Sequence, residues 1–75
     1  MDTVEVYRLK LKIDEALKPY GASAVAWQTH WCVLRIVKYD CPWWALRNTV
    51  YSHFIKDEAD WQEQRSTIEA ELQAA

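Results

Sequence analysis

The only soft metal ligands in the chain are His30, Cys32, Cys41 and His53. Four is the number a structural zinc site needs, and neutral imidazole with thiolate is suitable chemistry. Their spacing matches no finger or ribbon. Unpaired cysteine more commonly serves as a small buried hydrophobe, so no metal is expected. Cysteine–histidine nucleophilic catalysis lacks its usual supports, since no glycine-bearing nucleophile turn and no paired carboxylates in an apolar setting accompany these residues. The single glycine, Gly21, excludes a glycine-rich phosphate loop. These observations argue against an enzyme and imply no cofactor and no catalytic residues.

The residue types that remain are aromatic. Five tryptophans occur in 75 residues, and Trp27, Trp31, Trp43 and Trp44 are crowded into one stretch. Tryptophan fills small cores efficiently, and that is the plainer reading of each one. It is also enriched with arginine among the residues that carry interface energy. The candidate partner-binding set is therefore Trp27, Trp31, Arg35, Tyr39, Trp43, Trp44 and Arg47. Arg47 falls amid aromatic positions, where its stem can lie along rings and its guanidinium reach water or a carboxylate. The same stretch, with Lys38, has the stacking and phosphate-neutralising groups of a single-strand nucleic-acid platform. Charge argues against that alternative. The formal net charge is −2, with eight Lys or Arg against five Asp or Glu through Lys56 and one Arg against six acids from Asp57 onward. A nucleic-acid platform of this kind requires the acidic end to point away from it.

Hydrophobic residues form 51% of the chain and charged residues 27%, with one Gly and two Pro, which excludes disorder over most of its length. A domain this small buries only about 60% of the surface of its unfolded chain, so modest stability is expected. The acidic start, Met-Asp-Thr-Val-Glu, is unlike a secretory signal, and no apolar run reaches membrane-spanning length. A soluble cytoplasmic protein without membrane contact is expected, with Cys32 and Cys41 reduced, although their spacing leaves a disulfide open.

These groups need elements to hold them. Val6, Leu9, Ile13, Ala16 and Leu17 share a helical face, with Asp2 as N-cap, Glu5 three residues on, and Pro19 and Gly21 as the stop, predicting a helix over 3–18. An alternative strand has Tyr7, Leu9, Leu11 and Ile13 alternating with charged residues. Ser23 to Tyr39 is β-branched, aromatic and free of acids, predicting a hairpin over 23–39. Its strands fall near 23–28 and 32–39, around a turn lacking Gly or Asn-Gly. Arg35 with Val33, Val37 and Tyr39 should face one side, and Leu34 with Cys32, Ile36 and Lys38 the other. Both sides are apolar enough to need cover from helices or a second copy. Asp40-Cys41-Pro42 reads as a helix start, with an apolar arc of Trp43, Trp44, Leu46, Val50, Tyr51, Phe54 and Ile55 predicting a central helix over 42–55. Asp57 caps an acidic helix over 58–73 whose narrow stripe, Trp61, Ile68, Leu72 and Ala75, suggests an edge helix or a dimerisation arm.

The expectation is one α+β domain, ordered helix, β-hairpin, helix, helix, with the aromatic central helix packed on a short antiparallel sheet. No residue motif identifies a family. The expected function is a non-enzymatic protein-binding or regulatory module, acting by steric occlusion or scaffolding. Inhibitors of the kind phage encode fall in this size class. Single-strand nucleic-acid binding is one alternative, and a structural subunit of a homodimer or larger assembly is another.

Overall fold

The computed structural model describes residues 2–39 and 49–74. Asp2 opens helix α1 (Thr3–Leu17), its carboxylate accepting the Glu5 N–H at 2.8 Å. That bond satisfies one of the free donors of the first turn. The helical reading of this segment therefore prevails over the strand. Val6, Leu9, Ile13 and Leu17 recur at helical spacing and are buried. A 3₁₀ turn, Lys18–Tyr20, contains Pro19, and Gly21 ends it at φ 71°, a left-handed conformation glycine adopts without steric cost.

Strands β1 (Ser23–Ala26), β2 (Leu34–Tyr39) and β3 (Thr49–Ile55) follow, then helix α2 (Glu58–Ala74). The three strands form one antiparallel sheet in the order β1-β2-β3. Opposite pairs include Val25 with Arg35 and Arg35 with Phe54 on one face, and Ala24 with Ile36 and Leu34 with Ile55 on the other. A register shift interrupts the β2–β3 ladder between Lys38 and Tyr39.

Residues 49–55 correct the expected central helix: they form β3. β-Branched and aromatic residues dominate Thr-Val-Tyr-Ser-His-Phe-Ile, and side chains standing off a pleated surface suit them better than a crowded helical turn. The rest of that expected helix lies outside the described residues. The described residues thus hold two α-helices and a third strand, where three helices and a hairpin were expected.

Both helices cover the same sheet face, α1 over β1 and α2 over β3. Their buried stripes meet Ala24, Leu34, Ile36 and Ile55 in one core. The stripe of α2 is also stronger than its sequence suggests, because Trp61, Ile68 and Leu72 are completely or almost completely buried against this chain's own sheet. No second chain is needed to cover them. Asp57 caps α2 by accepting the Asp60 N–H at 2.8 Å. Lys38 crosses the covered face to donate to the Leu72 carbonyl in the last turn of α2, where a cation meets the negative end of the helix dipole. An exposed ion pair, Lys12 with Glu58, joins the two helices. Asp14 of α1 accepts the Ala24 N–H at 2.7 Å and a proton of Lys10 at 2.5 Å, tying β1 to the helix.

Candidate functional site

Among the described residues neither helix packs on the second face of the sheet. Its positions follow from strand alternation: Val25 on β1, Arg35 on β2, Ser52 and Phe54 on β3, with Trp27 just beyond β1. Val25, Trp27 and Trp31 remain 40%, 42% and 47% exposed. Toward the other end the face closes, since Val37 is buried. The exposed large apolar groups of this face are therefore gathered at the end near the β1–β2 loop.

Rings and a cation organise that area. Trp31 meets Phe54 edge to face, with centroids 4.9 Å apart and planes at 65°. Trp27 approaches the same phenyl ring at 6.3 Å with a 49° tilt. The Arg35 guanidinium carbon lies 5.1 Å from the Trp27 centroid and 6.0 Å from that of Phe54. Its Nε–H donates to Ser52 Oγ at 2.7 Å. Stacking and hydrogen bonding together restrict the rotation of a side chain that is ordinarily mobile.

The loop carrying Trp27 and Trp31 turns without glycine. Thr29 supplies the missing chemistry, its Oγ1 accepting the N–H groups of Trp31 and Cys32 at 3.4 and 3.3 Å while its own N–H donates to the Cys32 carbonyl at 2.9 Å. Side-chain hydroxyls serve as such turn formers. Cys32 is buried under the loop and its thiol donates to the Trp27 carbonyl at 3.7 Å. The Trp27 N–H donates to the Val33 carbonyl at 3.0 Å, extending the β1–β2 ladder to the base of the loop.

Of the residues singled out in the sequence, Trp27, Trp31 and Arg35 are brought together. Tyr39 ends β2 opposite Thr49. Trp43, Trp44 and Arg47 lie outside the described residues. Phe54 was missed as a site residue because the helical reading of 42–55 assigned it to an interior arc. A strand reading brings it directly opposite Arg35. The fifth tryptophan, Trp61, belongs to the core. Among the described residues no group of three or more metal-ligating side chains gathers. His30 is exposed on the loop, whereas His53 bonds Gln64 of α2 at 2.6 Å on the covered face.

That His53–Gln64 contact belongs to a polar chain along the α2 margin. Gln64 donates to Asp60 at 2.7 Å, and Asp60 accepts the Lys56 N–H at 3.0 Å. Partial burial pushes the Asp60 carboxyl up. The Lys56 and Gln64 hydrogen bonds, with the charges of Lys56 and His53, outweigh it and hold the group below its ordinary value of 3.8. The Tyr51 hydroxyl is buried near Glu71, and desolvation followed by the carboxylate's influence pushes its pKa well above 10. Both groups lie on the helix side of the sheet, away from the aromatic cluster.

Two other surfaces are less developed. A cleft of about 240 Å³ opens between Val6 and Tyr7 of α1 and Ala26, Gln28 and Leu34. It falls below the size of sites that enclose a small molecule. Val4, Tyr7 and Leu11 form an exposed stripe on the outer pole of α1. Neither surface carries a cation stacked on rings. Among the described residues no helix is long and apolar enough to cross a membrane.

No family model, curated protein or solved structure matches the chain.

Proposed function

We propose that the chain is a non-enzymatic protein-binding module whose contact surface is the open sheet face around Trp27, Trp31, Arg35 and Phe54. The observation that carries this reading is the asymmetry of the sheet: both helices take one face, and the other keeps large apolar groups in water around a stacked arginine. Tryptophan and arginine in that arrangement have the types and preorganisation of an interface hot spot. Occlusion of a partner's own site is the simplest action for so small a module.

Single-strand nucleic-acid binding is the second reading, and one observation favours it. The acidic α2 packs on the covered face, so its charge is directed away from the aromatic cluster. The count of cations weighs against it: Lys38 is turned to the end of α2, so Arg35 is the one Lys or Arg that strands β1, β2 and β3 place on the open face. A backbone-tracking groove needs several.

The test is capture from nuclease-treated lysate of the source organism by wild type and by Trp31→Ala, with tryptophan fluorescence followed during addition of oligothymidylate. The protein-binding reading expects a stoichiometric protein retained by wild type and lost by the variant, and no quenching. Quenching that weakens with salt, or a captured protein indifferent to Trp31, would overturn it.

A further inference from the structure

Building on the protein-binding reading, we infer that the open face receives a short linear segment presenting a carboxylate beside an aromatic or aliphatic side chain, with Arg35 taking the carboxylate. Arg35 forms no ion pair among the described residues, and its one hydrogen bond there uses Nε. The terminal amino groups are the part of the guanidinium suited to forked recognition of a carboxylate. Trp27 and Phe54 flank the group and reduce its contact with water, which strengthens a charge-assisted bond to an incoming anion.

Charge complementarity fixes the sign of the occupant. From Ala16 to Tyr39 the sequence contains no Asp or Glu, and β3 contains none. The acids of the described residues lie on α1 and α2 and at their ends, the helix layer of the molecule. A basic segment would meet a guanidinium that has no ion pair among the described residues, and would gain no counter-charge. A two-fold joining two open faces over Arg35 would set guanidinium against guanidinium, which disfavours a second copy as occupant. A phosphorylated segment is ordinarily held by an arginine cluster, and one guanidinium is better matched to one carboxylate. The exposed ring of Trp31 and the side chain of Val25 supply the apolar contact beside the charge. The patch is a few side chains wide, the scale of a linear motif.

Selection of displayed random dodecapeptides on the immobilised full chain, followed by calorimetric titration of the consensus peptide, tests this directly. The expected consensus places Asp or Glu within two positions of Phe, Leu or Trp. Arg35→Gln should weaken binding at least about tenfold, the range of an interface hot spot, with Arg35→Lys recovering only part of it. Exchanging the peptide's acid for its amide should cost wild type a similar factor and cost Arg35→Gln almost nothing, identifying the pair as coupled. Urea midpoints of the variants separate binding loss from unfolding. A consensus without acid, or undiminished binding by Arg35→Gln, would overturn the carboxylate assignment while dependence on Trp31 left the protein-binding reading standing. If every selected peptide bound independently of Trp31 and Phe54, both would fall.

Discussion

The two faces of one three-stranded sheet are built from different residues. The covered face carries Ala24, Leu34, Ile36 and Ile55, buried beneath α1 and α2. The open face carries Val25, Trp27, Arg35 and Phe54, with Trp31 over its end, and water still reaches its larger groups. Aliphatic side chains interdigitate closely and leave few polar atoms to satisfy. Exposed rings around a cation add little to that core and much to a contact surface. In this chain, tryptophan density alone is a poor guide to the interior, for Trp61 is in the core while Trp27 and Trp31 are outside it.

The sharpest way to break this comparison is to truncate each face. Leu34→Ala or Ile36→Ala on the covered face should cost about 2–5 kcal/mol, a large part of the stability of so small a domain. Trp31→Ala on the open face should cost less than about 1 kcal/mol and abolish partner capture. Urea denaturation followed by circular dichroism reads both, and an open-face loss equal to the core loss would make the aromatic cluster part of the fold.

Trp61 sharpens the comparison within the core. Its indole Nε1 is fully buried and finds no hydrogen-bond partner among the described residues, so removing that donor removes a desolvation cost. Trp61→Phe is therefore expected to lie within about 1.5 kcal/mol of wild type, because the smaller ring loses packing as the orphan donor disappears. Trp61→Ala should cost about 3–5 kcal/mol. A Phe variant as damaged as the Ala variant would show that the indole N–H has a partner in solution.

Helix caps and titration give smaller effects. Asp2→Ala and Asp57→Ala should each cost about 1 kcal/mol through the loss of a first-turn hydrogen bond. The Asp60 carboxyl titrates below its ordinary 3.8 in the folded chain, so its contribution is present above that value and fades as pH falls through the lower folded value. Asp60→Asn should flatten the acid limb of stability below about pH 4 in thermal melts. Tyr51 behaves oppositely: its raised value favours the neutral phenol, so stability declines as pH rises past the unfolded value of 10. Tyr51→Phe should lessen that alkaline decline. Neither substitution should alter partner affinity, since both groups lie on the helix side.

Much of the architecture was legible because local chemistry and periodicity agreed. Asp2, the 6-9-13-17 stripe, Pro19 and Gly21 define α1 almost to the residue, and Asp57 with Trp61, Ile68 and Leu72 defines α2. The Ser23–Tyr39 hairpin followed from β-branched residues without acids. β3 was misread because Asp40-Cys41-Pro42 resembles a helix start and the apolar positions after it covered a broad arc. Val50, Tyr51, Phe54 and Ile55 are spaced as on one face of a helix, so periodicity pointed the wrong way, and only residue type, with Thr49, Val50, Tyr51, Phe54 and Ile55 strand formers, pointed to a strand. Losing β3 also lost Phe54, the ring that joins Trp27, Trp31 and Arg35. Residue types therefore pointed to part of the site, while strand register was needed to assemble it.

Hydrogen–deuterium exchange of the chain alone and bound to its captured partner tests the division between the faces most directly. The account predicts slowed exchange on binding in 25–35 and 52–55, with α1 and α2 unchanged. Protection centred on the outer pole of α1 around Val4, Tyr7 and Leu11, or on α2, with 25–35 unaffected, would contradict it.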